Sequence, residues 1–171
     1  QNRILENELS IIRLDAELKG ESPAFPEELS VSHPQAIADQ MAIFHAREQQ
    51  QNAEMGLLQS QYEQRSREVE ELTGRKRQTE RSLALAVEQR NIAAPLMQRK
   101  IYSRVDYLGL EQKVVSLQGD IESLASSIPK AQAAAEEAKQ RLTLRKAEME
   151  AEINAEISKR RTELNSLKET L

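Results

Sequence analysis

Apolar residues recur at alternating spacings of three and four along two separate stretches of this 171-residue chain, and this repeat limits the fold more than any other feature. The first stretch begins at Ile37 and reaches Arg90 with polar interruptions. The second runs unbroken from Leu110 to Leu142 and then shifts phase. A repeat of this kind is typical of helices that pack along one another in a coiled coil. The enrichment in Ala, Glu, Gln, Lys and Leu agrees with that interpretation.

A short break separates the two stretches, and its residues suit a turn between helices. The segment from Pro95 to Arg104 contains a proline, a cationic cluster and a Ser-Arg step. We expect Ser103 to cap the returning helix, with Asp106 three residues later. If the chain reverses near Ile101, positions whose numbers sum to about 202 face each other, and apolar residues then lie opposite apolar residues. The sequence therefore predicts an all-α fold, a long antiparallel coiled-coil helical hairpin.

An additional short helix is expected before the hairpin, because apolar residues already recur at helical spacing from the first turn and Gly20 then ends the run. Its direction relative to the hairpin is left open by the pattern. A kink is expected near Pro129, and a true helix break with a new start at Ser127 is the alternative. The predicted boundaries are a short helix over 1–18, a Pro-rich loop over 19–34, the first long helix over 35–98, the turn over 99–103 and the second long helix over 104–171.

Polar residues interrupt the first apolar repeat, and four of them are Glu48, Gln51, Arg65 and Lys76. One interpretation is that they extend toward solvent or pair across the seam. The other is that they face neighbouring copies or a water-filled bore when several hairpins pack side by side.

The composition argues against several classes of function. The net charge is −4 with acids and bases mixed along the chain, so no nucleic-acid partner is expected. There is no cysteine, no glycine-rich phosphate loop and no arrangement of a nucleophile with a base. His33 and His45 lack a second ligand at helical spacing, so neither a metal nor another cofactor is expected, and no catalysis. Both ends stop in mid-pattern and no stretch suits a membrane span, which predicts a fragment whose anchor lies elsewhere.

Three segments match one protein family in the same order along the chain. They are "RLDAELKGESPAFPEEL" from Arg13, "APLMQRKIYSRVDYLGLEQKVVSLQGDI" from Ala94 and "IPKAQAAAEEAKQRL" from Ile128. They resemble the first short helix with its Phe-Pro loop, the hairpin tip and the last Ala-rich helix of the periplasmic adaptor proteins of type I secretion systems. These are the membrane fusion proteins of the HlyD type.

The resemblance implies a role in protein export. It implies a periplasmic adaptor, anchored in the inner membrane of a Gram-negative bacterium by a segment outside this chain. The expected partners are a TolC-like outer-membrane channel at the tip, an inner-membrane ABC transporter through other parts of the protein, and the secreted polypeptide. It also implies a homo-hexamer. The residues expected to contact the channel are Leu96, Met97, Arg99, Lys100, Ile101, Tyr102, Ser103 and Arg104.

Within that tip, Leu96 and Ser103 match the Leu and the hydroxyl residue of the wider adaptor pattern. The Arg of that pattern is missing, since its position holds Ile92 and Arg90 comes two residues early. We expect the apolar tip side chains, from Leu96 to Tyr102, to be exposed beside three cations. Such a patch is costly in water and useful against a partner.

Three alternatives remain from the sequence. The turn could be purely structural, because any helical hairpin needs a capped turn. An efflux-pump adaptor would share the fold, although the extra short helix and the loop at Phe25 argue against it, since efflux adaptors usually have a simple two-helix hairpin. A cytoplasmic structural coiled coil would have no docking partner at its turn.

Overall fold

The computed structural model describes residues 2–170, and within them the chain forms four α-helices and no strand. The two long helices are antiparallel and form a helical hairpin, which confirms the predicted fold class. The outer limits of the predicted ranges, at Gln1 and Leu171, lie outside the described residues. The helices are α1 (Asn2–Lys19), α2 (Glu27–Ser32), α3 (Pro34–Gln98) and α4 (Arg104–Glu169).

The seam between α3 and α4 follows the register that the sequence predicts. Charged side chains bridge the two helices at several places, and in three of these bridges the residue numbers of the partners sum to between 199 and 203. The apolar repeat of α4 from Leu110 to Leu142 is buried or half-buried at each of its positions. The three bridges are Arg47–Glu156 at 2.9 Å, Arg90–Glu111 at 3.4 Å and Arg145–Glu54 at 2.7 Å.

The chain divides into two compact units, and the first comprises residues 1–59 with 140–171. In this unit α1 packs beside the two long helices, and its Leu14 forms a buried cluster with Ile153 and Ile157 of α4. The three large side chains remove apolar surface from water, which is the main force that holds α1 in place. Met149, Ile153 and Ile157 of α4 are all buried at two successive spacings of four, which is the phase shift of the repeat after Leu142.

Polar contacts fix the direction of α1, which the sequence leaves open. Arg13 contacts Gln40 and Glu17 contacts Arg47, so residue numbers rise together and α1 runs parallel to α3. Toward α4 the order is reversed, because Arg13 faces Glu156 whereas Glu8 pairs with Lys168. The helix therefore lies antiparallel to α4.

In the second unit, residues 60–139, the most buried seam side chains are small. These are Ala86, Ala93, Val114 and Ala131, and the other apolar seam residues are half-buried. Two helices alone bury little apolar surface, so a residue of this unit gains less from burial than a residue of the first unit, where α1 is also packed.

Glu48 and Arg65, two of the four polar residues named in the α3 repeat, are exposed, which agrees with extension toward solvent. Three of the four contact a neighbour within the same helix: Glu48 lies 3.7 Å from His45, Arg65 lies 3.2 Å from Glu68, and Lys76 lies 3.8 Å from Glu80. Their partners are three or four residues away, which is the spacing that brings side chains together on a helix surface. These three contacts do not bridge the seam.

The main difference from the expected loop over 19–34 is that Glu27–Ser32 forms the short helix α2. The prolines of the segment flank this helix and do not interrupt it, with Pro26 at its N-cap. Glu27 and Glu28 occupy the first turn, where negative charge suits the positive end of the helix dipole. The six residues between Pro26 and His33 contain no proline and begin with two acidic residues, so they can form a short helix.

Gly20 ends α1 as the sequence predicts. Its φ of 69° is left-handed, and the N–H groups of Gly20 and Glu21 donate to the carbonyls of Glu17 and Ala16 at 3.2 and 3.0 Å. This pair of bonds is the Schellman motif that commonly closes a helix.

Pro129 lies inside α4, which continues through it. The Ser127 hydroxyl donates to the Ser123 carbonyl at 3.0 Å, a bond made within a helix. The alternative helix start at Ser127 is therefore not observed.

Candidate docking surface at the helical turn

The turn after α3 is closed by the same two bonds that close α1, but with a lysine in place of the glycine. The N–H of Lys100 donates to the Met97 carbonyl at 3.0 Å, and the N–H of Ile101 donates to the Leu96 carbonyl at 2.9 Å. Lys100 has a φ of 58°. A residue with a Cβ in this left-handed conformation costs roughly 1–2 kcal/mol. The turn therefore contains one strained residue, and that residue carries a positive charge.

The start of α4 carries the cap that the sequence predicts. The Asp106 N–H donates to the Ser103 Oγ at 3.4 Å, and the Tyr107 N–H donates to the Ser103 carbonyl at 3.0 Å. Asp106 lies in the first turn, where its carboxylate favours the positive end of the helix dipole. Residues 99–103 are thus held between two capped helix ends.

The side chains of the turn separate into an exposed and a half-buried set. Ile101 is 70% exposed, and Arg99, Lys100, Ser103 and Arg104 are also exposed. Leu96, Met97 and Tyr102 are half-buried, so the expectation of an exposed patch is wrong for these three. Leu96 and Met97 come three and four residues after the buried Ala93, which places them on the seam side of the last turn of α3.

An open groove of about 540 Å³ lies at the turn. It combines apolar and aromatic side chains with two cationic residues, a composition that suits an amphipathic partner segment. Its lining comprises Met97, Gln98, Lys100, Tyr102, Arg104, Tyr107 and Leu108.

Three residues of α4 extend this surface beyond the range that the sequence indicates. Val105 is mostly exposed, and Leu108 is about half exposed. Tyr107 lines the groove, and its hydroxyl donates to Glu111 Oε1 at 3.1 Å. That hydrogen bond, with smaller effects of burial and of the Glu111 charge, raises the pKa of Tyr107 above its usual value. These residues were not predicted, because the expected docking surface ended at Arg104, where the second long helix begins.

Comparison with known proteins gives the family. A family model described as AprE, long alpha-helical hairpin, matches residues 1–171. The chain belongs to this family of long helical hairpins. The soluble domain of LipC, a membrane fusion protein of a type I secretion system, has the same fold with a TM-score of 0.79 and 18% sequence identity, over 99% of this chain and 84% of that one. No curated protein sequence matches this chain.

The AprE-type hairpin described here lacks the tip arginine of the wider adaptor pattern, and Arg90 does not replace it. The guanidinium of Arg90 lies 3.4 Å from Glu111 of α4 and is half-buried in the seam. Ile92, at the position of the missing arginine, is exposed. Positive charge at the turn therefore comes from Arg99, Lys100 and Arg104.

A charged cluster lies where α1 meets the two long helices, and it was not predicted from the sequence. Arg13 and Glu17 are paired with each other and have side chains only 3% exposed. Arg47 Nε lies 3.1 Å from Glu17 Oε2, close but not aligned for a hydrogen bond, so that contact is coulombic. Arg47 also bonds Glu156 at 2.9 Å, and Arg13 donates to Gln40 at 2.8 Å. Two cations and two anions balance, which limits the cost of burying them.

Residues 2–170 contain neither a candidate metal site nor a candidate membrane span. Acidic and histidine side chains form no group there that could hold a metal ion. In the same range, no helix is both long enough and apolar enough to cross a membrane.

Proposed function

We propose that this hairpin belongs to the periplasmic adaptor of a type I secretion system and that its turn docks on the outer-membrane channel. The adaptor would connect an inner-membrane ABC transporter to a TolC-like channel, so that a polypeptide substrate crosses the periplasm. The family of long helical hairpins and the fold of LipC support this role. The observation that carries the docking part is a turn capped on both sides that exposes Ile101 among three cationic side chains.

The chemistry of the turn suits the end of a helical partner. An exposed aliphatic side chain gains free energy when a partner covers it. Arg99 and Arg104 can donate paired hydrogen bonds to carboxylates or to carbonyl groups at a helix C-terminus. The caps on both sides hold the turn in one conformation, which lowers the entropy cost of binding.

The role requires more than one copy and parts outside this chain. A conduit must be enclosed, so we propose that several copies surround it, six if the HlyD-type resemblance holds. The membrane anchor and the contact with the transporter would lie in other parts of the protein. Mechanical coupling of this kind needs no cofactor and no catalytic residue.

The docked α1 favours export of polypeptides over the efflux alternative. A simple two-helix hairpin has no equivalent of α1, whereas here α1 contributes buried residues and ion pairs to the first unit. An exposed cationic turn likewise has no use in a coiled coil that only spaces two domains apart.

The proposal is tested by replacing Ile101 with Asp in cells that carry the secretion system. We expect the amount of polypeptide substrate in the medium to fall strongly, because the substitution places a charge at the centre of the docking surface without removing a helix bond. The control is Val31→Asp in α2, a residue that is even more exposed. Export by Ile101→Asp at the level of the control, with equal amounts of adaptor, would reject docking through the turn.

A further inference from the structure

The outer face of α3 carries a second apolar repeat that the hairpin itself does not use. Among the described residues of α3, every large apolar side chain that is exposed falls at one heptad position. A solvated helix face carries polar residues at such positions. The residues are Ile43, Leu57, Leu85 and Ile92, and polar residues occupy the same heptad position at 50, 64, 71 and 78. Leu85 and Ile92 are the two consecutive apolar residues at this position, and they indicate a second packing seam near the turn.

In the second unit, α4 has a matching pair on its own outer face. Leu108 and Val115 are seven residues apart, and their side chains are 54% and 63% exposed. On α3, Leu85 and Ile92 are also seven apart and are 64% and 61% exposed. We call these two pairs the α3 stripe and the α4 stripe.

The two stripes lie on opposite sides of the helix pair. Each residue of the α3 stripe directly precedes a buried seam residue, as Leu85 precedes Ala86. Val115 of the α4 stripe directly follows the buried Val114. In an antiparallel pair, the residues that precede seam positions project to one side and those that follow project to the other. One hairpin therefore presents one stripe to each neighbour in a row.

The two stripes also lie at the same level along the helices. The bridge between Arg90 and Glu111 sets residues that sum to 201 opposite each other. By this register Leu85 is level with Ser116, one residue from Val115, and Ile92 is level with Gly109, one residue from Leu108. The offset is about 1.5 Å. A contact between unlike faces at equal height closes into a ring without a helical rise.

Charge complementarity supports a second copy as the occupant. Glu122 continues the α4 stripe by one heptad, and Arg81 lies one turn before Leu85. By the same register Arg81 is level with Asp120, about 3 Å along the helix from Glu122. Both side chains are exposed. When the stripes of two copies meet, these opposite charges come close together.

We propose that copies of this chain pack side by side, with the α3 stripe of one copy against the α4 stripe of the next. This contact deepens the proposed function, because it names the surface through which several adaptors would surround one conduit. The contact is heterologous, so each copy uses both stripes at once, and copies at equal height form a closed ring when the rotation from one copy to the next divides a full turn.

Disulfide trapping tests the contact in cells that make the protein, and the absence of native cysteine keeps it specific. A chain with Leu85→Cys and Val115→Cys is expected to form a ladder of linked species that ends at the closed ring. Each single variant is expected to form no dimer, and the two single variants made together only dimers. The matched control is Ala84→Cys with Ser116→Cys, at the same level on the other two faces, which is expected to give no ladder.

Several results would overturn the contact. A dimer from Leu85→Cys alone would show a two-fold pairing of like faces. The absence of a ladder, a ladder of equal strength in the control, or a disulfide-linked product with another protein instead would also reject it. As a second test, Arg81→Glu or Glu122→Arg alone should weaken the ladder and the two together should restore it. Failure of the double variant to restore the ladder would remove the charge pair from the interface.

The outcome separates this proposal from docking through the turn. The ladder should persist in a chain that also carries Ile101→Asp, because that residue belongs to neither stripe. Export that depends on Ile101 without any ladder would overturn the side-by-side contact alone. A ladder in cells where Ile101→Asp exports normally would support the contact and reject docking through the turn.

Discussion

Lys100 and Gly20 occupy equivalent positions at the ends of two helices, and the comparison shows what the turn costs. Both have a left-handed backbone, and at both sites the residue itself and the next residue donate the same pair of hydrogen bonds to the end of the helix. Glycine adopts this conformation freely, whereas lysine does so at a cost. The lysine places a cation at the apex of the candidate docking surface, where the proposed partner interaction would benefit from it.

Lys100→Gly is therefore expected to stabilise the fold by about 1 kcal/mol, since it removes the steric cost of a left-handed residue with a Cβ. Urea unfolding followed by circular dichroism measures the change. Gly20→Ala is the opposite substitution at the matching position and should destabilise by about the same amount. If both substitutions lowered stability, the turn would not have the conformation described here.

Single residues also decide how much of the site the sequence reveals. The roles of Ser103 and Gly20 are predictable because capping uses few residue types at fixed positions. The left-handed Lys100 is not, because nothing in its side chain favours that conformation. The half-burial of Leu96 and Met97 was not predicted, because the apolar repeat read from the first helix ends at Arg90 and does not show that the last turn keeps these side chains on the seam side.

At the scale of elements, α1 is joined to the long helices by the charged cluster as well as by Leu14 and its neighbours. Seam periodicity predicts a long helix pair from sequence because the apolar residues at its heptad positions are buried or half-buried along both long helices. It does not predict the cluster, since Arg13, Glu17 and Arg47 are ordinary charged residues until a third helix covers them. These pairs also set the direction of α1. The sequence does not predict that direction, because the pairs form only when α1 packs on the long helices.

Glu17→Gln should destabilise the protein by about 3 kcal/mol, because it removes the buried anion that pairs with the buried Arg13 and also faces the half-buried Arg47. The free energy of unfolding in urea gives the value. Glu71→Gln is the matched control, since Glu71 pairs with Arg75 on the exposed surface of α3 and should change stability little. Equal effects of the two substitutions would mean that the cluster is not buried in solution.

Helix α3 contains an avoidable weakness at Gly74. The residue lies in the helix interior, and an added Cβ would meet nothing within 4 Å. Gly74→Ala should therefore raise stability by roughly 0.5–1 kcal/mol through helix propensity alone. A higher midpoint of thermal unfolding would be the expected observation, and a lower midpoint would show that this part of α3 is not a regular helix.

At the scale of the whole molecule, the two compact units have different compositions that suit different tasks. The first unit contains α1 and α2 beside the two long helices, together with the cluster around Leu14 and the charged cluster. The second has alanine and valine as its most buried seam residues, two outward apolar stripes and the capped turn. We infer that the first unit supplies stability and that the second supplies contact surfaces, for neighbouring copies through the stripes and for the channel through the turn.

The central claim is that the turn between α3 and α4 binds the outer-membrane channel, and site-specific photo-crosslinking in secreting cells tests it most directly. A photoreactive residue in place of Ile101 should form an adduct with the channel. The same residue in place of Val31, which is also exposed but lies in α2, should form none. A channel adduct at position 101 alone is the predicted result. No adduct at position 101, in a protein that is present and folded, would contradict the account.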